Sequence, residues 1–280
     1  ELLAEKDIDV IVVASPNFTH IEIMRELFKT DKHVLLEKPM CTTLPDSLEV
    51  LEKSKEHGGL VWIGLEYRYM SPIQSLIKHI EEIGDIRMLS IREHRFPFLE
   101  KVDNWNRFNE NTGGTLVEKC CHFFDLMNLI VPSKPIKVYA SGGQDVNHLD
   151  EKYDGKTPDI IDNSFVIVDY QDGQRAMLDL CMFAEAGKYE QEIVLTGDQG
   201  KLETHIPGNE LLLTNRKNYS LKTIEVKDDP RVKEVGFHHG ASYIEHLELI
   251  DCIKNKKKPL VDCQKGLDSI ILGLAAQESI

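Results

Sequence analysis

The sequence has no glycine-rich phosphate loop, and it lacks the features that define several other classes of protein. No glycine occurs before Gly58. No apolar run approaches the roughly 20 residues that a helix needs to span a bilayer. The six cysteines are scattered without a CxxC pair. This scatter argues against a disulfide framework or a zinc site, and it favours free thiols in a reducing, cytoplasmic compartment.

The chain also lacks an excess of positive charge. Its net charge of −14 argues against nucleic acid and anionic membranes as partners, because both bind basic patches. The one basic cluster contains Lys254, Lys256, Lys257 and Lys258 and follows a predicted helix. Cations suit the negative end of a helix dipole, so we interpret this cluster as a solvated face. A length of 280 residues allows one large domain or two ordinary ones.

Apolar runs alternate with helical periodicity in the first quarter of the chain. Valine-rich and leucine-rich runs predict buried strands at residues 9–14, 33–36 and 60–64. Thr19 and Glu22 have capping-box spacing at the start of the first intervening helix. Strand–helix–strand units of this kind form parallel sheets. Residues 1–68 are therefore predicted to be the later part of a doubly wound Rossmann domain.

The rest of the chain, residues 69–280, is dominated by strands and short turns. Asp172-Gly173 and Gly208-Asn209 are typical hairpin turns. Helices are predicted at 72–83, 115–130 and twice near the C-terminus, and strands at 86–96, 136–140, 163–170, 174–183, 190–196, 201–205, 210–214 and 220–226. Many strands joined by short turns indicate an antiparallel sheet, so this part is predicted to be an α+β domain. Residues 141–162 are predicted to be a long surface loop.

The segment Glu37-Lys38-Pro39 follows the second predicted strand. Ligands bind at the carboxyl ends of parallel strands, and a lysine there can donate to a substrate oxygen. Taken alone, Lys38 could equally pair with Glu37. Ser15-Pro16-Asn17 lies at the same end of the preceding strand, and alone it is only a turn.

A second polar group follows Gly113-Gly114. In a continuous helix, Glu118, His122 and Asp125 would share one face, at positions i, i+4 and i+7. A histidine titrates near neutrality and suits proton transfer, and a carboxylate one turn away can fix its tautomer. The same pattern also fits a capped helix with a buried histidine. No third ligand stands at a suggestive spacing, so no metal is expected.

Together these segments resemble the Gfo/Idh/MocA family of NAD(P)-dependent oxidoreductases, which includes inositol and sugar dehydrogenases. The resemblance covers almost the whole chain. It is carried by DVIVVASPNFTH and VLLEKP within residues 9–39, GGTLVEKCCHFFDL at 113–126, EYRY at 66–69, Trp105 with Arg107, and SYIEH at 242–246.

The resemblance implies a nucleotide-binding Rossmann domain followed by an open, mostly antiparallel sheet with flanking helices. It implies that Lys38 contacts the reacting oxygen and that the bond to Pro39 is cis. The catalytic aspartate and histidine of the family fall on Glu118 and His122. Substrate-binding positions fall on Arg68 and Asp125. Cofactor-lining positions fall on Ser15, Pro16, Asn17, His20, Glu37 and Lys38, together with Trp105 and Arg107.

Two departures from the family pattern affect these expectations. Glu118 stands where the family has aspartate, and its extra methylene shifts the carboxylate by about 1 Å, a displacement that can cost roughly 100-fold in rate. The glycine fingerprint and the acidic residue after it would precede Glu1, so we expect this chain to be a fragment. We also expect the C-terminus to be trimmed.

The function implied is hydride transfer between a secondary alcohol of a cyclic polyol or sugar and NAD(P), with NAD preferred from family habit. His122 would act as general base, Lys38 would stabilise the oxygen, and Glu118 and Asp125 would orient His122 or bind hydroxyls. The alternatives are a dinucleotide-binding regulator without turnover, an NAD-dependent glycosidase, and a complete but inert chain. Relatives form homodimers or homotetramers through the open sheet, and the apolar alternation in residues 165–180 permits this.

Overall fold

Contacts in a computed structural model, which describes residues 2–280, divide the chain into two units. Unit 1 comprises the chain up to Leu65 together with Lys101–Asp125 and Glu245–Gln277. Unit 2 comprises Glu66–Glu100, Leu126–Ile244 and Glu278–Ile280. Two later segments thus return to unit 1. The boundary between residues 68 and 69 stays a prediction about folding domains.

The secondary structure follows the order expected from the sequence, helices and strands alternating first and strands dominating later. The strands are β1 (Val10–Val13), β2 (His33–Glu37), β3 (Val61–Gly64), β4 (Ile86–His94), β5 (Pro135–Gly143), β6 (Asn163–Tyr170), β7 (Arg175–Cys181), β8 (Gln191–Gly197), β9 (Gly200–Ile206), β10 (Glu210–Asn215) and β11 (Ser220–Glu225). The α-helices are α1 (His20–Leu27), α2 (Leu44–Ser54), α3 (Ser71–Lys78), α4 (Asn109–Thr112), α5 (Thr115–Glu118), α6 (Cys121–Ile130), α7 (Ala241–Lys254) and α8 (Cys263–Ser279).

Unit 1 contains a parallel sheet in the order β1-β2-β3. Val13 pairs with Leu36, and Glu37 pairs with Gly64, so the carboxyl ends of all three strands lie at one edge. Val34, Leu35 and Leu36 of the central strand are fully buried. Burying each such side chain contributes about 1.5–3 kcal/mol, which anchors the strand that carries Lys38. The Rossmann-like prediction for this part is confirmed.

Unit 2 contains an eight-stranded sheet in the order β11-β10-β9-β8-β4-β7-β6-β5. Within this sheet, as described, the β4–β7 pair is parallel and the other pairs are antiparallel. In β6, Val166 and Val168 are buried, whereas Phe165 and Ile167 are 59% and 41% exposed. The mostly antiparallel open sheet is therefore confirmed. Assembly through its exposed face stays a prediction.

Three local predictions are wrong. Val12 in β1 is 53% exposed, because β2 is the only neighbour of β1 among the described strands. Thr19 does not cap α1, since its hydroxyl donates to the Pro16 carbonyl at 2.7 Å and its backbone belongs to the 3-10 helix Asn17–Thr19. The helix predicted at 72–83 ends at Lys78, and a separate 3-10 helix, Ile80–Ile83, follows it.

Candidate active site

Loops at the carboxyl edge of the unit 1 sheet carry the residues expected to bind ligands. The turn after β1 contains Ser15 and Asn17, and the turn after β2 contains Lys38. Parallel pairing of the two strands brings these turns to the same edge. This edge is where open parallel sheets bind ligands.

Lys38 lies at the centre of this edge, and the bond between Lys38 and Pro39 is cis, as expected. Its ammonium Nζ donates to the backbone carbonyl of Glu118 at 3.0 Å and lies 3.7 Å from Oε2 of the same residue. The Lys38 side chain is 20% exposed. The amine is therefore tied to residue 118, and the side chain that carries it is partly exposed.

Asn17 completes a cluster with Lys38 and Glu118. Its side-chain amide donates to Oε2 of Glu118 at 2.7 Å, and Asn17 itself is buried. One carboxylate oxygen thus accepts from an amide and faces an ammonium group. Charge-assisted contacts of this kind hold both partners in one geometry. Three residues widely separated in sequence are brought together here.

The helix predicted at 115–130 is wrong as one continuous element, because it is divided into α5 and α6. In an unbroken helix the carbonyl of Glu118 would accept from the amide of His122. Here that carbonyl accepts from Lys38 Nζ, and Cys121 Sγ lies 3.7 Å from it. The spacing i, i+4, i+7 therefore does not place Glu118 on the face of α6 that His122 and Asp125 share. His122 and Asp125 are both buried.

Two glycines bring α5 close to the turn after β2. Gly113 and Gly114 have φ values of 78° and 93°, in the region that side chains disfavour. A Cβ atom on Gly113 would lie 2.6 Å from the carbonyl oxygen of Thr42. Gly113 thus allows the close backbone approach of the segment before α5 to the turn after β2, and Glu118 of α5 lies beside Lys38.

His20, expected among the cofactor-lining residues, is fully buried in unit 1. Its Nδ1 lies 3.0 Å from the Pro39 carbonyl and its Nε2 lies 3.1 Å from the Ser15 carbonyl. Burial lowers the pKa of this imidazole below its ordinary value, although the backbone contacts raise it. A neutral ring has one N–H and donates to one carbonyl at a time. His20 thus connects the turns after β1 and β2.

An aromatic pair borders the same turns. The rings of Phe18 and Trp105 meet edge to face with their centroids 6.3 Å apart. Phe18 is exposed and Trp105 is half-buried. Arg107 is buried beside Asn106, whose Oδ1 accepts from its Nη1 at 3.3 Å. Phe18 was not predicted as a site residue from the sequence, although its place between Asn17 and Thr19 was the available signal.

The other predicted residues lie in different surroundings. The Glu37 side chain lies over Gly64, where an added Cβ would be 3.0 Å from Glu37 Oε2. Arg68 belongs to unit 2, is buried, and accepts through its carbonyl from Gln74 Nε2 at 2.6 Å. Roles of all these residues in binding or catalysis stay predictions.

The carboxyl edge fits the nicotinamide end of a dinucleotide. It offers the ammonium group of Lys38, whose side chain is 20% exposed, and an exposed aromatic side chain at Phe18, and both follow strands of a parallel sheet. An ammonium group and a flat apolar surface suit a substrate oxygen and a planar ring respectively.

Two absences can be stated for residues 2–280. No group of three histidine, cysteine or acidic side chains could hold a metal ion there. In the same range, no helix is both long and apolar enough to cross a bilayer. All six cysteines are free thiols, and burial raises the pKa of Cys41 to about 12 and that of Cys263 to about 11.

Comparison with known proteins identifies two family models on this chain. The model described as oxidoreductase family, NAD-binding Rossmann fold, matches residues 1–65. The model described as oxidoreductase family, C-terminal alpha/beta domain, matches residues 77–280. One match lies within each of the two regions, 1–68 and 69–280, that are predicted from the sequence.

Curated relatives agree with these matches. The chain is 26% identical to myo-inositol 2-dehydrogenase of Thermotoga maritima over 286 aligned positions, which cover the whole chain and 80% of that protein. It is 29% identical to the uncharacterized oxidoreductase YrbE of Bacillus subtilis, over 71% of this chain and 56% of that protein.

Solved structures share the fold. An oxidoreductase domain protein from Kribbella flavida superposes with a TM-score of 0.86 at 19% identity, over 99% of this chain and 80% of that one. A levoglucosan dehydrogenase in complex with NADH and L-sorbose gives a TM-score of 0.85 at 18% identity, over 99% and 79%. At these identities the likeness concerns the fold alone, whereas the family models settle membership: this chain belongs to the Gfo/Idh/MocA oxidoreductase family.

Proposed function

We propose that this chain transfers a hydride between a secondary alcohol of a cyclic polyol or sugar and a nicotinamide dinucleotide, NAD in preference to NADP. The observation that carries the proposal is the cluster of Lys38, Glu118 and Asn17 at the carboxyl edge of the parallel sheet. An ammonium group at that edge is the donor that an alcohol oxygen requires as negative charge develops on it.

The contacts of Lys38, together with the family resemblance for the other residues, support the following roles. Lys38 donates to the reacting oxygen, and Glu118 and Asn17 fix the position of its amine. His122 accepts the hydroxyl proton as general base, and Asp125, in the same helix, orients the ring or binds a neighbouring hydroxyl. Arg68 binds substrate hydroxyls. The bound dinucleotide supplies the hydride acceptor at its nicotinamide ring.

Glu118 stands where the family has the shorter aspartate, and its contacts make use of the longer side chain. Its Oε2 reaches Asn17 at 2.7 Å, while its own backbone carbonyl receives Lys38. The longer side chain therefore connects α5 to the turn after β1. We assign Glu118 the task of positioning Lys38, and His20 the task of holding the backbone that follows Lys38.

The relatives support the class of substrate and of cofactor. A myo-inositol 2-dehydrogenase acts on a cyclic polyol, and the name levoglucosan dehydrogenase denotes an anhydrosugar. The family model for residues 1–65 carries the description NAD-binding. We assign to the cofactor-lining surface Ser15, Pro16, Phe18, Glu37 and Trp105, together with Arg107.

Absorbance at 340 nm with NAD and a panel of cyclic polyols and sugars tests this function. Lys38→Met should lower kcat by about 100- to 1,000-fold, the effect of removing one donor to a developing oxyanion. Dinucleotide affinity should change little. Lys55→Met is the matched control, because Lys55 is an exposed lysine whose ammonium pairs with Glu52; it should retain wild-type kcat.

Other outcomes select the alternatives. Dinucleotide binding without reduction for any alcohol would identify a regulator. Release of sugar without net NADH would identify the glycosidase. Wild-type turnover in Lys38→Met would remove Lys38 from the reaction and overturn the proposal.

A further inference from the structure

A cavity of about 510 Å³ lies within unit 1, at the amino ends of β2 and β3. Its walls come from the start of β2, the turn before β3 and the segment between α7 and α8; they include His33, Gly59, Leu60, Lys256, Pro259 and Cys263. His33 and Glu37 are the first and last residues of β2, and they lie about 13 Å apart at the usual rise per residue. The cavity is therefore at the opposite end of the strand from the turn that carries Lys38.

One nitrogen of the His33 ring is engaged by the protein, and the other is not. Nδ1 accepts from the backbone N–H of Leu60 at 2.8 Å. A neutral imidazole has one donor and one acceptor nitrogen, so the proton of this ring lies on Nε2. Within residues 2–280, Nε2 makes no hydrogen bond. The half-buried His33 thus brings to the cavity wall a hydrogen-bond donor without a protein partner.

The basic cluster after α7 is exposed, as expected for a solvated face, but Lys256 and Lys257 of this cluster also line the cavity. Lys257 forms an ion pair, with its Nζ 2.6 Å from Oδ2 of Asp251. The ammonium group of Lys256 has no hydrogen bond or ion pair with any described residue. Lys256 also has a φ of 50°, in the left-handed region that glycine usually occupies at the end of a helix. A lysine with an unpaired charge thus stands where the backbone favours glycine.

The carboxylates of this region are already paired with other groups. Asp251 accepts from Lys257 Nζ and from Asn255 Nδ2, both at 2.6 Å. Asp262, which lines the cavity, accepts from the backbone N–H of Lys265 at 3.1 Å, and its Oδ1 lies 3.3 Å from Lys265 Nζ. Neither carboxylate is therefore an unpaired negative charge that would repel an anion.

The unpaired groups of the cavity favour an anionic ligand. The ammonium group of Lys256 and the Nε2–H of His33 both donate, and charge-assisted hydrogen bonds to an anion are the strong ones. A phosphate monoester carries up to about two negative charges and three acceptor oxygens, so it can accept from both groups at once.

The size and the remaining walls of the cavity indicate that the anion belongs to an organic molecule. Leu60, Ile253 and Pro259 are half-buried apolar residues of the wall. A volume of about 510 Å³ lies within the range of small-molecule sites, about 300–1,000 Å³. Such sites combine apolar contact area with a few polar groups that fix the orientation of the ligand.

We propose that this cavity binds a small organic phosphate. The phosphate group contacts Lys256 and His33, and the organic part lies against Leu60, Ile253 and Pro259. The site requires neither the dinucleotide nor the polyol, so it goes beyond the proposed function and does not depend on it.

Isothermal titration of the full chain with phenyl phosphate at low ionic strength tests the site. This probe joins a phosphate monoester to an apolar ring and resembles neither a polyol nor a dinucleotide. Lys256→Met should weaken binding about tenfold, the effect of losing a charge-assisted hydrogen bond. Lys254→Met is the matched control, because Lys254 is an exposed lysine of the same cluster that does not line the cavity. This control should bind like the wild type.

Two further variants guard against a trivial loss of structure. His33→Asn keeps an acceptor near Nδ1 for the amide of Leu60 and removes the Nε2 donor, so binding should weaken about tenfold. Lys256→Gly removes the ammonium group and suits the left-handed φ, so its urea midpoint should not fall below that of the wild type. Weaker binding by this variant would then report the lost charge.

Lys38→Met separates this cavity from the carboxyl edge of the sheet. It should bind phenyl phosphate like the wild type, because Lys38 follows the other end of β2. Bound phenyl phosphate should also slow hydrogen exchange at residues 57–60 and 253–257, and leave residues 15–17 unchanged. Binding that is lost in Lys38→Met and kept in Lys256→Met would place the probe at the carboxyl edge and overturn the proposal.

Inorganic phosphate tests the apolar part of the site. It should bind about tenfold more weakly than phenyl phosphate, because it lacks the ring that the apolar walls contact. Equal affinity for the two probes, equal binding by wild type and Lys256→Met, or no binding of phenyl phosphate would each overturn the proposal. Because no turnover is measured, these outcomes are separate from failure of the 340 nm assay.

Discussion

His20 in unit 1 and Asp162 in unit 2 perform the same structural task with opposite chemistry. Both are buried polar residues whose side chains hold loop backbone. His20 lies between the carbonyls of Ser15 and Pro39. Asp162 accepts from the amides of Asp145, Val146 and Asn147 at distances from 2.7 to 3.2 Å.

Their pKa values respond differently to burial. Burial lowers the pKa of His20, and the backbone carbonyls and Glu118 do not compensate. Burial raises the pKa of Asp162, but the amides of Asn147 and Val146 and the side chain of Asn163 outweigh it, so the net pKa lies below its ordinary value. Several donors directed at one charge overcome desolvation. The turn that carries Lys38 is thus held by a neutral group, and the loop after β5 is held by a charged one.

Between these two residues, substitution of His20 should have the larger effect on turnover, and two variants separate its contacts. His20→Asn keeps a donor near Nδ1 and so preserves the contact with Pro39, whereas His20→Gln keeps a donor near Nε2 and preserves the contact with Ser15. Because Pro39 follows Lys38, His20→Gln should lower kcat by up to about 100-fold, the effect of a misplacement of about 1 Å. His20→Asn should lose clearly less. Equal losses in kcat would show a purely structural role.

Substitution of Asp162 should reduce stability and spare turnover. Asp162→Asn weakens several charge-assisted hydrogen bonds, so the free energy of unfolding should fall by about 1.5–3 kcal/mol. Urea unfolding measures this loss, and hydrogen exchange at residues 145–147 should accelerate. Asp150→Asn, which removes an exposed charge from the same loop, is the control. An unchanged unfolding midpoint in Asp162→Asn would contradict the assignment of this residue as an anchor.

The dependence of folding stability on pH in acid solution should reveal the charged state of Asp162. Its folded pKa lies below the unfolded value of about 3.9, so the folded state binds fewer protons in that range. The stabilisation is complete above about pH 4 and is lost as pH falls through the folded pKa. Urea midpoints between about pH 3 and 6 should therefore fall less steeply in Asp162→Asn than in the wild type. Parallel curves would refute the charged anchor.

The smallest effect should be a change of folding stability with pH near neutrality, which depends on His20. Its folded pKa is lowered, so below the unfolded value of about 6.5 the unfolded chain binds more protons than the folded chain. Stability should fall as pH drops below about 6.5 and level off beneath the folded pKa. Subtracting the curve of His20→Asn from that of the wild type isolates this contribution among the 11 histidines. A flat difference would contradict the neutral anchor.

Local patterns predicted most of the fold. The apolar run at residues 33–36 became β2, which is buried because strands lie on both sides of it. Asp172-Gly173 joins β6 to β7, and Gly173 has the φ value of 88° that such turns require. Both signals depend on residues close in sequence. The exposure of Val12 was missed because it depends on the position of β1 in the sheet.

The sequence predicted which residues belong to the candidate site, but it did not predict the contacts between them. Lys38, Glu118 and Asn17 were each identified, yet the contact between Lys38 Nζ and the Glu118 carbonyl joins residues 80 positions apart. Helical propensity carries no information about an amine that arrives from another element, so the break between α5 and α6 was missed. The bridge made by His20 was hidden for the same reason. Glu66 and His238 form another such contact.

Transfer of deuterium tests the central claim most directly. The claim is that the edge formed by Lys38, Glu118 and Asn17 supports hydride transfer from an alcohol carbon to the dinucleotide. The polyol most active in the 340 nm assay would be labelled with deuterium at the carbon that is oxidised, and the reduced cofactor analysed by mass spectrometry. The account predicts that the label is recovered in the reduced dinucleotide with the wild type, and that it arrives there about 100- to 1,000-fold more slowly with Lys38→Met. Recovery of the label in water, or transfer at equal rates by both proteins, would contradict it.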